Sequence, residues 1–324
     1  MSIRSEIIGL GHYLPAKILT NDDLSNMVET SDEWIRTRTG ILSRHISEGE
    51  TTSVIAGKAV AAAIKNAGIT PQDVDLLILA TVTPDNTTPS SAAKIARDLG
   101  LRAGAPVFDI SAACSGFVYA LTMADNMIRL GQVKTAVIVG AECLSKIVDW
   151  TDRNTCVLFG DGGGAAVLRA KEGKGDASDT GVLSTCIFAD GSMYDNLKTT
   201  GGVSSTQNAG VVFMNGKEVF KHAVGSLSQA AETAIKQAGV RKEEIDWLIP
   251  HQANIRIIES VHERLDIDES KVIVTLDHHG NTSAASIPLA LSENTENGKL
   301  KKGDLLVLTA MGAGFTWGGA VIRL

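Results

Sequence analysis

The sequence predicts an α/β fold made of two similar halves, and an internal repeat is the main reason. Residues 63–78 and 234–249 share eight of sixteen residues. Each copy ends a helix at a glycine, passes through a short acidic turn and enters an apolar strand. A second match, 164–170 with 318–324, closes each half with a strand. Two matches in the same order indicate duplication, and the period is far too long for a solenoid repeat.

Length and composition narrow the classes of function. A chain of 324 residues with 44% hydrophobic residues can bury a large core. A charged, glycine-bearing stretch near residue 172 gives the boundary, so the predicted halves are 1–172 and 173–324. The net charge of −7 argues against nonspecific nucleic-acid binding. The N-terminus predicts a strand rather than a signal peptide, and no apolar run is long enough to span a membrane.

The four cysteines show no C-x-x-C spacing, which argues against a zinc site or a redox pair and fits a reducing cytoplasm. Cys114 is the first candidate functional residue, because it lies where an apolar strand turns into a helix. Apolar residues at helical spacing follow it: Phe117, Leu121, Ala124 and Ile128. A helix N-terminus favours a thiolate over a thiol. The alternative, a small buried core cysteine, is the commoner role for a cysteine taken alone.

Two later segments favour a functional role for Cys114 over a structural one. His251 follows the strand of the second repeat copy, and Asn281 lies in a turn between a predicted strand, 272–276, and a small-residue helix. Strand ends are where α/β proteins gather functional groups. A lone histidine is usually structural, and an asparagine in Gly-Asn-Thr is usually a turn former. A cysteine, a histidine and an asparagine at three such ends are more specific than any one of them.

Two glycine-rich or polar segments allow other interpretations. Residues 160–165 match the G-x-G-x-x-A pattern, but a strand rather than a helix is predicted to follow, so we expect no dinucleotide site there. The stretch 190–210 is rich in Ser, Thr, Asn and Gly. Its length predicts either a mobile loop over a site or an ordinary surface insertion.

Four motifs together resemble β-ketoacyl-[acyl-carrier-protein] synthase III, the initiating condensing enzyme of bacterial fatty-acid synthesis. They are Asp-Ile-Ser-Ala-Ala-Cys-Ser-Gly-Phe (109–117), His-Gln-Ala-Asn-Ile-Arg (251–256), His-Gly-Asn-Thr-Ser-Ala-Ala-Ser (279–286) and Gly-Ala-Gly-Phe-Thr-Trp-Gly (312–318). The likeness runs from Ile7 to the C-terminus. It implies the thiolase fold, in which two duplicated halves form five α/β/α/β/α layers, and a homodimer.

The resemblance also implies a reaction and roles for the candidates. An acyl-CoA primer and malonyl-[acyl-carrier protein] would condense with loss of CO₂ to 3-oxoacyl-[acyl-carrier protein], without a metal or redox cofactor. Cys114 would accept the acyl group, and His251 and Asn281 would complete the triad. Elongating synthases are similar but place a second histidine where this chain has Asn281. The oxyanion donors would be the Cys114 N–H and the 312–314 loop.

For acyl-CoA, the resemblance points to Trp34, Arg38 and Arg153. A tryptophan face can stack adenine against a guanidinium, and arginine suits phosphate. Without the family, the segment around Trp34 predicts only a capped helix with solvated arginines.

The acidic acyl-carrier protein would meet the segment that follows His251: Gln252, Ala253, Asn254, Ile255 and Arg256. Within it, Arg256 supplies the docking charge on an otherwise acidic protein, although any single exposed arginine can also be an ordinary helix charge. Thr88 stands where some members that prefer acetyl primers carry a bulky Phe near the acyl pocket. A smaller side chain there predicts room for longer or branched primers.

Three other functions stay open. A member of secondary metabolism would make a polyketide or quinolone-like product, and would differ in whether it accepts carrier-bound or CoA-bound malonyl groups. An acyltransferase or thioesterase would keep Cys114 but not condense. A non-catalytic thiolase-like scaffold would not become acylated at all.

Overall fold

The computed structural model describes residues 2–324. The strands and helices of the first half have these bounds: β1 Ser2–Tyr13, β2 Lys17–Thr20, α1 Asn21–Ser25, α2 Asp32–Thr39, β3 Ser43–Ile46, α3 Thr52–Asn66, β4 Leu76–Ala80, α4 Ser91–Leu99, β5 Val107–Ile110, α5 Gly116–Arg129, β6 Thr135–Cys143 and β7 Asp161–Gly173. Those of the second half are β8 Gly181–Ala189, β9 Leu197–Thr199, β10 Val212–Met214, α6 Gly216–Ala238, β11 Trp247–Pro250, α7 Ile255–Leu265, α8 Leu276–His279, α9 Ser286–Glu296, β12 Leu305–Gly312 and β13 Thr316–Arg323.

The two main sheets repeat one topology. The strand order is β1-β7-β6-β4-β5 in the first sheet and β8-β13-β12-β11 in the second. Both contain a parallel pair at the corresponding place, β4 with β6 and β11 with β12, and the first sheet has a second parallel pair, β4 with β5. The next two pairs are antiparallel in both sheets, β6–β7–β1 and β12–β13–β8. The predicted duplication is therefore confirmed by the order and direction of the strands.

An aspartate retained in both repeat copies explains part of the sequence match. The Asp75 carboxylate accepts a 2.9 Å hydrogen bond from the N–H of Thr135, where β6 begins. The Asp246 carboxylate accepts one of 2.8 Å from the N–H of Leu305, where β12 begins. Each aspartate satisfies a backbone donor that the neighbouring strand leaves unpaired at its end. The acidic turn before each strand thus fixes where the next strand starts.

The helices form three layers around the two sheets. Helices α3 and α4 cover the outer face of the first sheet, α5 and α9 lie between the sheets, and α6 and α7 cover the outer face of the second. This is the predicted five-layered α/β/α/β/α arrangement. Within residues 2–324, no helix combines the length and apolarity that crossing a membrane requires.

One predicted strand is wrong. Residues 272–276 form a single parallel bridge between Val272 and Leu248 and then enter α8. The cause is the buried side chain of Gln252, whose Oε1 accepts the N–H groups of Thr275 and Leu276 at 2.9 and 3.2 Å. Because the Gln252 side chain accepts these two N–H groups, they are not available to a β-strand ladder. Residues 161–165, in contrast, are the first residues of β7, so a strand and no helix follows the glycines, as the sequence predicts.

Candidate active site

Cys114 lies in a 3₁₀ turn, Ala113–Ser115, that leads directly into the N-terminus of α5. Ala113 has a φ of 45°, a left-handed conformation that costs free energy for a residue with a Cβ. Gly312, at the end of β12, permits the close approach of the second sheet. A Cβ on Gly312 would lie 2.5 Å from the Cys114 backbone nitrogen. Local strain and a glycine thus fix the cysteine where the two halves meet.

His251 is a buried, neutral histidine at the end of β11. Its backbone N–H donates to the Thr309 carbonyl at 2.8 Å, and its Nδ1 lies 2.7 Å from the Ser286 hydroxyl. Burial lowers the pKa of His251 to about 3. The Ser286 oxygen also accepts the Gln252 N–H at 3.4 Å. When the Ser286 hydroxyl donates to Nδ1, the proton of the neutral ring stands on Nε2.

Asn281 is buried, and both its backbone and its side chain are hydrogen-bonded. Its backbone N–H donates to Leu158 at 2.8 Å, and its carbonyl accepts from Gly160 at 3.0 Å. The side-chain Oδ1 accepts the N–H of Ser283 at 2.9 Å. Because the oxygen is occupied, the amide NH₂ group is the end of the side chain left to act as a hydrogen-bond donor.

One cavity joins these residues to the surface. Its volume is about 1170 Å³, and its lining includes Cys114, His251 and Asn281 together with Trp34 and Arg38. The lining also contains residues of β9 and β10. The stretch predicted as a loop at 190–210 therefore borders the cavity, and the structure gives it a turn and a short strand paired with β10.

The electrostatics at Cys114 differ from the expectation of a helix-stabilised thiolate. Burial raises the pKa of the Cys114 thiol to about 12, and a hydrogen bond with Ser283 opposes that rise. The negative charge of Glu142 raises the pKa further. Desolvation therefore opposes the stabilisation of a thiolate that the helix N-terminus predicts.

The three residues assigned to acyl-CoA meet at the cavity mouth. The guanidinium carbons of Arg38 and Arg153 lie 4.6 and 5.0 Å from the centre of the Trp34 ring. A base stacked between a ring and a guanidinium needs roughly 7 Å, twice the van der Waals contact distance. An arginine must therefore swing away to admit adenine. Arg153 is free to do so, since it is exposed and held by one hydrogen bond to the Glu29 carbonyl at 3.0 Å.

The start of α7 contacts the end of the helix that carries Trp34. The Asn254 amide donates to the Arg38 carbonyl at 3.0 Å, and the Arg256 guanidinium donates to the Thr37 carbonyl at 3.2 Å. Arg256 is exposed, while Ala253, Asn254 and Ile255 are half-buried. The segment predicted to meet the carrier protein thus borders the mouth predicted to admit acyl-CoA.

Gln252 does not fit the role given to it by the sequence. Its side chain is buried, donates to the Pro250 and Ile273 carbonyls, and accepts from the backbone ahead of α8. All of its hydrogen-bonding capacity is used inside the protein. Gln252 therefore ties the His251 segment to the Asn281 turn and does not present a contact for a carrier protein.

Thr88 lies on the surface of the single chain, and its place at an acyl pocket stays a prediction. It is exposed and does not line the cavity around Cys114. The loop that carries it is anchored outward by Asp85, which accepts from Ser53 of α3 at 2.6 Å and from Lys94 of α4 at 2.8 Å. In the single chain Thr88 therefore does not bound an acyl pocket next to Cys114.

Three residues near the candidate catalytic residues were not identified from the sequence: Ser283, Ser286 and Glu142. Ser286 contacts His251, and Ser283 donates to the buried acid Glu142. The two serines lie two and five residues after Asn281, inside the 279–286 motif, and their spacing was the available signal. Glu142 was detectable as a lone acid near the end of the apolar strand 135–143.

One cluster beside the Asn281 turn has the composition of a metal site. Ligand atoms of His278, His279 and Glu293 lie within 4.8 Å of one another. These atoms already bond to each other, with both histidine Nε2 atoms 3.1 Å from the Glu293 carboxylate. His278 also bonds Asp277 at 2.8 Å, and the two carboxylates raise its pKa to about 10. The geometry is that of an ion-pair network on α8 and α9.

Comparison with known proteins identifies the family. The model of 3-oxoacyl-[acyl-carrier-protein (ACP)] synthase III matches residues 108–191, and the model of its C-terminal part matches residues 235–324. The chain is 56% identical to the β-ketoacyl-[acyl-carrier-protein] synthase III of Rhodospirillum centenum over 324 residues, which is all of both chains.

Solved structures agree with this assignment. The crystal structure of 3-oxoacyl-[acyl-carrier-protein] synthase III from Aquifex aeolicus is 48% identical with a TM-score of 0.93, and the match covers 99% of this chain and all of the other. The priming β-ketosynthase of the R1128 polyketide biosynthetic pathway is 33% identical with a TM-score of 0.92, over 99% and 96% of the two chains. The chain belongs to the β-ketoacyl-[acyl-carrier-protein] synthase III family.

Proposed function

We propose that Cys114, His251 and Asn281 carry out the family's reaction, the condensation of an acyl-CoA primer with malonyl-[acyl-carrier protein] that initiates fatty-acid synthesis. The protein is an acyltransferase of the condensing type. The observation that carries the residue assignment is the single cavity in which a cysteine at a helix entry faces a neutral histidine and an oriented asparagine amide.

In the first half-reaction, the Cys114 sulfur attacks the thioester carbon of acyl-CoA. The carbonyl oxygen becomes an oxyanion, which needs hydrogen-bond donors held in place beforehand. The Cys114 N–H and the 312–314 loop are the donors in this proposal, and the Gly312 approach supports them because it brings the loop against the cysteine turn. CoA leaves, and the acyl group remains on Cys114.

In the second half-reaction, malonyl-[acyl-carrier protein] loses CO₂ and an enolate forms on its thioester. The oxygen that gains charge requires two donors, and His251 Nε2–H and the Asn281 amide supply them. A neutral histidine is a donor at Nε2 only if its proton is there, and the Ser286 bond supports that tautomer. The enolate carbon then attacks the acyl group on Cys114 and releases the 3-oxoacyl product.

The substrates would enter by the mouth between α2 and α7. Trp34, Arg38 and Arg153 hold the nucleotide end of acyl-CoA in this proposal, and Arg256 meets an acidic acyl-carrier protein. The contacts between α2 and α7 support a shared entrance for both substrates. The proposal includes a homodimer, no cofactor beyond the substrates, and a cytoplasmic location, which the free state of all four cysteines suits.

The experiment is a product assay with acyl-CoA and either malonyl-[acyl-carrier protein] or malonyl-CoA. We expect 3-oxoacyl-[acyl-carrier protein] from the first acceptor, and loss of product with Cys114→Ser. Turnover with malonyl-CoA alone would instead favour the secondary-metabolism alternative. The 56% identity to a β-ketoacyl-[acyl-carrier-protein] synthase III over the full length of both chains supports the first acceptor.

A further inference from the structure

Two adjacent histidines of α8 face one glutamate of α9. Residues that follow each other in a helix point about 100° apart and do not usually share a partner. Here the rings of His278 and His279 lie 4.1 Å apart, centre to centre. Nε2 of His278 is 3.1 Å from Glu293 Oε1, and Nε2 of His279 is 3.1 Å from Glu293 Oε2. One carboxylate thus contacts both imidazole rings.

These distances are close to those between the ligands of a tetrahedral zinc ion. Zinc binds imidazole nitrogen at about 2.0–2.1 Å and carboxylate oxygen at about 2.0–2.2 Å, so two ligand atoms on one ion lie roughly 3.3–3.5 Å apart. Ligand atoms of His278, His279 and Glu293 lie within 4.8 Å of one another. Rotation of the exposed His278 ring is therefore enough to bring all three to one ion. Two histidines and a glutamate are a ligand set that zinc proteins use.

The surroundings of the histidines also suit a metal ion. A histidine that binds a metal usually donates its other ring N–H to a carboxylate or a carbonyl, which fixes the ring. His278 Nδ1 lies 2.8 Å from Asp277 Oδ1, and the Asp277 carbonyl in turn accepts the Leu42 N–H at 2.7 Å. The side chain of His279 is buried, whereas those of His278 and Glu293 are 41% and 32% exposed. The open side gives an ion access and leaves its fourth position to water.

The cluster carries more negative than positive charge. The hydrogen bonds of His278 lower the pKa of Asp277 and of Glu293, so both are carboxylates. Burial lowers the pKa of His279, so its ring is neutral and His278 alone is positive. Within residues 2–324, neither carboxylate forms an ion pair with a lysine or an arginine. A divalent cation in place of the His278 proton makes the cluster neutral.

We propose that His278, His279 and Glu293 bind a zinc ion, with a water molecule as the fourth ligand. His278 Nε2 releases its proton to solvent and binds the ion, while Asp277 keeps its bond to the other ring nitrogen. Without zinc, the same residues form the ion-pair network described above. The ion joins α9 to the turn that holds Asn281 and stabilises it against unfolding. It takes no part in the proposed reaction.

The test measures zinc affinity by competition with a chromophoric chelator, on protein first dialysed against EDTA. We expect one zinc ion per wild-type chain. Asp277→Asn removes a partner of a ligand and should weaken binding about 10- to 100-fold. His278→Gln and Glu293→Gln each remove a ligand, so their losses should exceed about 100-fold. The three variants give independent readings if one of them does not fold.

His222→Gln is the matched control. His222 lies 3.8 Å from Glu218 on α6, so this variant also removes a histidine from a histidine–glutamate pair. We expect it to bind zinc with wild-type affinity. Equal affinity in wild type, His278→Gln and Glu293→Gln would mean adventitious surface binding and overturn the proposal. Cys114→Ser should also keep the affinity, and a loss there without one in His278→Gln would place the ion in the cavity instead.

Two further measurements report the ligands and the role of the ion. Cobalt(II) bound at this site should show no thiolate charge-transfer band, because its ligands are nitrogen and oxygen. A thiolate band would contradict the assignment. The melting temperature of wild type should rise with added zinc, since the ion binds the folded state, and that of His278→Gln should not. The same rise in both, or none in wild type, would overturn the proposed site.

Discussion

The hydroxyl of Ser286 lies 2.7 Å from Nδ1 of His251 and also accepts the N–H of Gln252 at 3.4 Å. When this hydroxyl donates to Nδ1, the first residue of α9 holds the proton of the candidate histidine on Nε2. A serine with no role in binding substrate would therefore be required for the decarboxylation step.

Ser286→Ala should slow condensation and leave acylation of Cys114 unchanged. Loss of a transition-state donor typically costs about 100- to 1000-fold, and loss of its orientation alone should cost less, roughly 10- to 100-fold. Ser292→Ala is the control. Ser292 lies on the same helix as Ser286 and makes a similar 2.9 Å bond to His12 of β1, away from the cavity. If both variants condense at the wild-type rate, Ser286 does not fix the tautomer.

Asn281→Asp tests the amide donor more cleanly than alanine. The aspartate keeps an oxygen for the Ser283 N–H but replaces the NH₂ group with an acceptor. We expect decarboxylative condensation to fall about 100- to 1000-fold while transfer of the acyl group to Cys114 continues. Single-turnover acylation and steady-state condensation measure the two steps separately. An equal loss in both would mean that Asn281 supports the site as a whole and has no separate role in the second step.

Arg256→Ala should raise the KM for the acidic carrier protein and leave the KM for acyl-CoA unchanged. An exposed ion pair contributes about 0.2–1 kcal/mol, so the increase should reach about fivefold at low salt and shrink as salt is added. Arg264→Ala removes another exposed arginine of α7 and serves as the control. The same change in both variants, or none in either, would exclude Arg256 from the docking surface.

The His278 network should make stability depend on pH above neutrality. The pKa of His278 is raised from about 6.5 to about 10 by Asp277 and Glu293, so the charged ring stabilises the fold fully below pH 6.5 and this contribution is lost as the pH rises through 10. The side chain is 41% exposed, so screening limits the effect to about 1 kcal/mol.

His278→Gln should therefore unfold at a lower temperature than wild type at pH 6, and the difference should disappear near pH 11. His262→Gln, a half-buried histidine bonded to the Ile267 carbonyl, is the control. A difference that does not change with pH would indicate a packing effect and contradict the ion-pair account.

The architecture could be predicted from the sequence because residues that are identical in the two copies reveal the duplication. Asp75 and Asp246 are identical in the two copies, since each holds the first backbone donors of a neighbouring strand. The strand predicted at 272–276 failed for the opposite reason. A distant side chain, that of Gln252, takes the backbone donors there, and no periodicity within the segment can show that.

The three catalytic candidates could be named from strand ends and motifs, but their chemical states could not. Whether Cys114 is a thiol depends on its desolvation and on Glu142, which comes from a different strand. The assignment of Thr88 to the acyl pocket came from its position in a motif and stays a prediction, while the contacts of Asp85 with Ser53 and Lys94 hold its loop on the surface of the single chain. Properties set by long-range packing became accessible only with the structure.

The most direct measurement is the intact mass of the protein after incubation with acyl-CoA, followed by addition of malonyl-[acyl-carrier protein]. The account predicts a mass gain of one acyl group located at Cys114, and its disappearance as 3-oxoacyl-[acyl-carrier protein] forms. Discharge of the acyl group only to water or to another thiol would contradict the condensation. No mass gain with any primer would contradict the assignment of Cys114 as the nucleophile.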